Sequence, residues 1–225
     1  MSVSTTPPPA PPKKRGLGCL GCGCLVLALL VILFLALVAG IGYLGYTKVV
    51  SLTSTTPAAV PSSEGSNDLY LATKQKLADF DHDVQNHQAA TIQLSADEIN
   101  ILIARDPEVI KNNIHAFVTL TDDRARLQGS IPTNSFAQGF LKDRYFNFDT
   151  TFGLSFNSDT RSLDLALHHV QIGDQTTPQN LLPTLQAELT PLLNSKLQQY
   201  PAAKYVFPQT KSIGIKDGEL VIETQ

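Results

Sequence analysis

RYFNFDTTFGLSF, the stretch from Arg144 to Phe156, has the strongest strand pattern in the chain. Apolar side chains occupy one parity and mostly polar side chains occupy the other. The apolar set is Phe146, Phe148, Phe152, Leu154 and Phe156, and the polar set is Asn147, Asp149, Thr151 and Ser155. This alternation predicts a β-strand with one face on a hydrophobic core and the other in water.

Further strands are predicted on both sides of this stretch. Leu163, Leu165 and Leu167 alternate back after a turn, but the apolar parity then flips at His168-His169. A parity flip inside a strand predicts a β-bulge. Alternating patterns over residues 115–131 and 212–223 predict two more hairpins, the second with an Asp-Gly turn. We therefore expect a curved antiparallel sheet of about five to seven strands.

Helical spacing appears before and after these strands. A leucine stripe follows Thr177-Pro178 and predicts a long C-terminal helix across the sheet; its members are Leu182, Leu185, Leu189, Leu192, Leu193 and Leu197. Residues 68–87 predict an N-terminal helix, and Ser95 and Glu98 form a capping box for a second one. Asn100, inside that buried helix, is expected to hydrogen-bond to a strand. The fold class is thus α+β.

One pair of apolar surfaces suggests a ligand site. The phenylalanine face and the leucine helix would enclose an apolar groove for a lipid chain, lined by Phe146, Phe148, Phe152, Phe156, Leu185 and Leu189. The alternative is that these residues only fill the core, as most such stripes do.

The N-terminal part of the chain predicts a membrane anchor. Residues 16–47 contain no charged side chain, and the apolar run Leu25–Tyr46 has 22 residues, where about 20 suffice for a spanning helix. Lys13-Lys14-Arg15 precedes the run, so we expect the N-terminus inside and residues 50–225 outside the cytoplasmic (inner) membrane. A signal peptide cleaved near Val38-Ala39-Gly40 is the alternative, although the run is long for one.

Four segments follow from this pattern. Residues 1–15 form a Pro-rich, disordered cytoplasmic tail, and 16–47 form the anchor with its Gly/Cys-rich entrance. Residues 48–67 are rich in Ser, Thr and Pro and predict a flexible linker with a reach of about 60 Å. Residues 68–225 form the extracytoplasmic domain. Gly40, Gly42 and Gly45 offer a small-residue surface for packing against another membrane helix.

The charge of the domain argues against nucleic-acid binding, and the positions of the cysteines exclude a disulfide inside it. Residues 66–225 contain 13 Lys or Arg and 19 Asp or Glu, a net charge of −6, with no basic cluster. Nucleic-acid binding is therefore not expected, because it depends on basic groups that neutralise phosphates. All three cysteines, Cys19, Cys22 and Cys24, precede the apolar run, so the domain has no internal disulfide. They are either small apolar residues at the interface or sites of acylation.

No catalytic, cofactor-binding or metal-ligating residues are predicted. The chain lacks G-x-S-x-G, H-E-x-x-H and P-loop motifs. A hydrolase would need a nucleophile, a base and an orienting acid, and the available residue types are Ser130 or Ser135, His168 or His169, and Asp149. Adjacent strand residues face opposite ways, so the two histidines are not expected to converge. Asp81-His82-Asp83 is interpreted as a solvated helix face.

Several motifs together resemble an uncharacterised group of bacterial single-pass membrane-anchored proteins. They are LSADEINILIARDP (94–107), IPTNSF (131–136), the phenylalanine strand and SIGIKDGELVI (212–222). The opening L-S-x-x-E-[IL]-N is also similar to the YpmS-type anchored proteins of Gram-positive bacteria. The resemblance implies a bacterial envelope protein and no established activity. Some related domains are suspected of a tubular lipid-binding fold, in which a curved sheet wraps a long helix.

The sequence therefore predicts a membrane-tethered, non-enzymatic binding or scaffold domain. Its expected partners are the bilayer, through residues 25–46, and a lipid or an envelope protein. An envelope hydrolase is the alternative.

Overall fold

The structure is a computed structural model that describes residues 52–62, 65–135 and 141–225. The predicted tail and anchor lie outside these residues. Within the described ranges, no helix is long and apolar enough to cross a membrane. The helices are α1 (Asn67–Gln85), α2 (Ala96–Ala104), α3 (Pro107–Lys111), α4 (Leu182–Leu197) and α5 (Ala203–Gln209). The strands are β1 (Thr91–Leu94), β2 (His115–Thr121), β3 (Arg124–Pro132), β4 (Tyr145–Asn157), β5 (Ser162–Ile172), β6 (Gln175–Thr176), β7 (Thr210–Lys216) and β8 (Glu219–Thr224).

The α+β class is confirmed for the described residues, which form eight antiparallel strands in one sheet. The number exceeds the expected five to seven because β6, which has two residues, is too short to leave a sequence pattern. The C-terminal helix α4 begins at Leu182, later than Thr177-Pro178 suggested, because a 3₁₀ turn over Gln179–Leu181 precedes it.

Strand β4 organises the sheet. It has 13 residues and pairs with β5 along one edge. Two strands pair with different parts of its other edge. β3 pairs with the part from Tyr145 to Phe152, and β7 pairs further along, where Gly214 lies opposite Ser155. Strands β8 and β1 then extend the sheet from β7. The phenylalanine stretch thus holds both halves of the sheet together.

The apolar face of β4 is packed by its cross-strand neighbours. Phe148 lies opposite Gly129 of β3, and a Cβ atom built on Gly129 would be 2.1 Å from Cζ of Phe148. The phenylalanine ring therefore occupies the space that any other residue at position 129 would fill. Close cross-strand contact of this kind pins the register of the two strands.

The bulge predicted at the histidine pair is confirmed. Thr151 lies opposite His169, whereas the next residue, Phe152, lies opposite Leu167, so His168 is the extra residue. The shift returns Val170 and Ile172 to the buried face.

Two helices are attached to outer strands of the sheet by the same device. Asn100 of α2 donates from Nδ2 to the carbonyl of Val118 (2.8 Å), and its Oδ1 accepts from the Val118 amide (2.7 Å). Asn194 of α4 makes the equivalent pair of bonds, both 2.8 Å, with Leu163 of β5. Each asparagine side-chain amide takes the place of a neighbouring strand, because it hydrogen-bonds to the backbone amide and carbonyl at the edge of the sheet. The helix-to-strand bond predicted for Asn100 is therefore confirmed.

Residues 52–58 are docked on the start of β4, unlike the flexible linker expected over 48–67. Ser54 and Tyr145 exchange two backbone hydrogen bonds of 2.8 Å. The side chain of Asn147 accepts from the amide of Ala58 (3.0 Å) and donates to the carbonyl of Thr56 (3.1 Å). The paired part of β5 ends opposite Phe148, so this segment occupies the edge that β5 leaves free.

Candidate functional site

The six residues of the predicted groove lie in one hydrophobic cluster. Phe146, Phe148, Phe152 and Leu189 are 2–5% exposed, and Phe156 and Leu185 are partly buried against the same cluster. The structure thus brings the strand face and the helix together. A ligand between them stays a prediction, since four of the six side chains are already packed in the core.

A surface depression lies close to the Phe156 end of this cluster. Its volume is about 480 Å³, and its lining includes Arg161, Lys204 and Phe207. The ring of Phe207 lies 6.0 Å from that of Phe156, at an interplanar angle of 51°. Arg161 donates from Nη1 to the carbonyl of Thr210 (2.7 Å). Two cationic side chains thus border the depression, and an aromatic residue connects it to the groove.

The hydrolase candidates named from the sequence are not assembled into one site. Ser130 is fully buried and donates to Oδ1 of Asn147 (2.8 Å). Asp149 accepts from Nε of Arg126 (2.9 Å), and this hydrogen bond is the largest cause that raises the Arg126 pKa. In the register of the sheet, Asn147 and Thr151, which lies opposite His169, are four residues apart along β4. Ser130 is therefore separated from the histidine pair, and the histidine that lies opposite it is His115 of β2, which is exposed. The side chain of Ser135 lies outside the described residues.

The two histidines share one side of the sheet, contrary to the expectation from strand alternation. His169 lies opposite Thr151, on the polar face. His168 has its Nε2 3.6 Å from the Cβ position of Gly153, which is also on that face. The bulge is the reason, because the extra residue breaks the alternation. Among the described residues, no group of three or more His, Cys, Asp or Glu side chains is placed to hold a metal ion.

The polar face of the sheet also carries a depression, of about 450 Å³. It is lined by Thr119, Thr121, Asp122, Asp123, Arg124, Arg126 and Thr151. The Arg126 side chain is 53% exposed and the Asp149 side chain is 18% exposed, so the ion pair lies at the solvent boundary. The arrangement offers hydroxyl groups and charges of both signs to a polar partner.

Asp81 is a buried acidic residue that the sequence interpretation missed. It is 4% exposed, whereas the Asp81-His82-Asp83 triplet was expected to be solvated. Its Oδ1 accepts from the hydroxyl of Tyr205 and its Oδ2 accepts from Gln85 (2.9 Å), so it connects α1 to α5. The available signal was spacing: Asp81 follows Leu77 by four residues and precedes Val84 by three, on the buried stripe.

Comparisons with protein-family models, with curated proteins and with solved structures find no match to this chain. The resemblance to membrane-anchored envelope proteins therefore stays a prediction.

Proposed function

We propose that this chain is a membrane-tethered, non-enzymatic binding or scaffold domain on the outer side of the cytoplasmic membrane. The observation that carries the proposal is the course of the first quarter of the chain. A 22-residue apolar run, preceded by three basic residues, leads within a few residues to a segment docked on the sheet. The separation of Ser130, Asp149 and the histidine pair supports a binding role over hydrolysis.

Selective cysteine labelling tests this location. Cys19, Cys22 and Cys24 are first replaced by Ser, and a single Cys is then introduced by Ser158→Cys in the exposed β4–β5 turn. Intact cells are treated with a membrane-impermeant maleimide. The Ser158→Cys variant is expected to react without permeabilisation, whereas a Ser4→Cys control in the tail should react only after it. The opposite pattern would overturn the proposed topology.

The ligand proposed for this domain is a lipid with an anionic head group. Its chain would enter the groove at Phe156, and Arg161 and Lys204 would attract the head group at the bordering depression. The test is to purify the full chain in mild detergent and analyse organic extracts by mass spectrometry. An anionic lipid should co-purify with the unmodified chain and be depleted in the Arg161→Gln/Lys204→Gln variant. An Arg124→Gln/Lys216→Gln variant, with the same loss of charge at two exposed residues outside the depression, serves as the matched control. Extracts without lipid would overturn the proposal that the domain binds a lipid, and a protein would then be the expected partner.

A further inference from the structure

The docked segment shortens the free connection between membrane and domain. The apolar run ends at Tyr46, and Leu52 is 7% exposed and lies beside Gly173 at the end of β5. Five residues, 47–51, lie between these positions. At about 3.3–3.6 Å per residue they span roughly 20 Å at most, far less than the 60 Å expected of a free linker.

The position of the docked segment defines which end of the sheet faces the membrane. Asn147, which holds the linker backbone, lies opposite Ser130 of β3, and Ser130 lies opposite His115 of β2. We call the end of the sheet that contains Asn147, Ser130 and His115 the near end, because it lies beside the docked segment. The turn after Asn157 lies ten residues further along β4, about 33 Å away at roughly 3.3 Å per residue.

An exposed apolar residue lies at the near end. Ile110 in α3 is 63% exposed. It lines a depression of about 300 Å³ that also includes Pro61 and Ser62 of the linker, His115 of the near end, and further apolar side chains. Glu108 and Lys111 flank Ile110 and pair with each other at 3.3 Å, so the charges beside it are compensated.

We propose that the domain rests on the bilayer by this end, with Ile110 inserted among the lipids at the interface. The inference rests on the proposed anchor and adds a fixed orientation to it. A chain held within roughly 20 Å of the apolar core brings this end close to the head groups, whose layer is about 5–8 Å thick on each side. The same orientation carries the depression at Arg161 to the far end of β4, away from the membrane.

Tryptophan fluorescence tests the orientation directly, because the chain contains no Trp. The full chain with Ile110→Trp is reconstituted into liposomes that contain lipids brominated along their acyl chains. The Ile110→Trp variant is expected to lose most of its fluorescence relative to unbrominated liposomes. A matched Ser158→Trp variant, exposed at the far turn, should be unaffected. Lys111→Trp, next to Ile110 and also exposed, gives a second near-end reporter.

The outcomes separate this inference from the anchor on which it rests. Protein that does not float with the liposomes would overturn the anchor. Protein that floats while both near-end reporters remain unquenched would overturn the orientation alone, and equal quenching at both ends would overturn it as well. Combining Ile110→Trp with Asn147→Ala should restore much of the fluorescence, because the linker loses two of the bonds that dock it. Unchanged quenching would contradict the role assigned to the docked segment.

Discussion

Two regions of the domain each bury one polar side chain. The contact between α2 and β2 buries Asn100, and the centre of β4 buries Thr150. The two side chains differ in their hydrogen bonding. Asn100 is 2% exposed and makes two hydrogen bonds to the backbone of Val118. Thr150 is fully buried between Leu127 and Val170, and its hydroxyl has no hydrogen-bond partner among the described residues.

The difference shows that burial alone does not determine the effect of a polar group. A buried group with matched partners offsets its desolvation, whereas an unmatched one leaves that cost in the folded state. Removing the two side chains should therefore change stability in opposite directions.

The largest effect is expected for Asn100→Ala. The change leaves the buried amide and carbonyl of Val118 without partners, so the free energy of unfolding should fall by about 2–4 kcal/mol. Urea unfolding of the full chain in detergent micelles measures it. The Asn100→Asp variant is the matched control: its protonated form retains a donor and an acceptor. Its loss should therefore be smaller at acid pH than at neutral pH. A loss below about 1 kcal/mol for Asn100→Ala would contradict a stabilising role for the two hydrogen bonds between Asn100 and Val118.

Asn194→Ala removes the same pair of bonds at a half-buried position. Water can replace part of what is lost with Leu163, so the expected destabilisation is about 1–2 kcal/mol. The same unfolding measurement applies. If the destabilisation were as large as that of Asn100→Ala, burial would not determine how much each pair of asparagine hydrogen bonds contributes to stability.

Thr150→Val should raise the free energy of unfolding by about 1 kcal/mol, because it removes an unmatched buried hydroxyl without changing the side-chain volume much. Thr151→Val on the polar face is the matched control and should be near neutral. Destabilisation by Thr150→Val would mean that the hydroxyl does have a partner in the folded protein.

The smallest effect is expected on the polar face of the same strands. Arg126→Ala breaks the ion pair with Asp149, but the guanidinium is more than half exposed and its attraction is screened by solvent. We expect a loss of less than about 1 kcal/mol that shrinks further when salt is added. A loss that persists in high salt would indicate packing by the arginine stem instead.

Local periodicity accounts for the features that could be predicted from the sequence. The alternation in β4 and β5 depends only on side-chain parity, so it indicated both strands and the bulge between Leu167 and Val170. Asn100 was recognisable because a polar residue in an apolar helix needs a partner.

The docked linker could not be predicted in this way. Its binding site exists only because β4 extends past the paired part of β5, which is a relation between two distant strands. The histidine pair shows a related limit. The parity flip located the bulge, but the common side of His168 and His169 follows from the backbone geometry inside it.

The pairing of β1 with β8 has a consequence for synthesis. The register joins Thr91 to Glu223, so β1 has no partner on that edge until β8 has been synthesised. The hairpins over residues 115–172 join near neighbours and need no such delay. During translation, β1 and β7 would therefore carry unpaired edges until β8 leaves the ribosome, and a chain that stops before Glu219 keeps them. Synthesis of β8 is thus the event that protects the nascent domain from pairing with other chains.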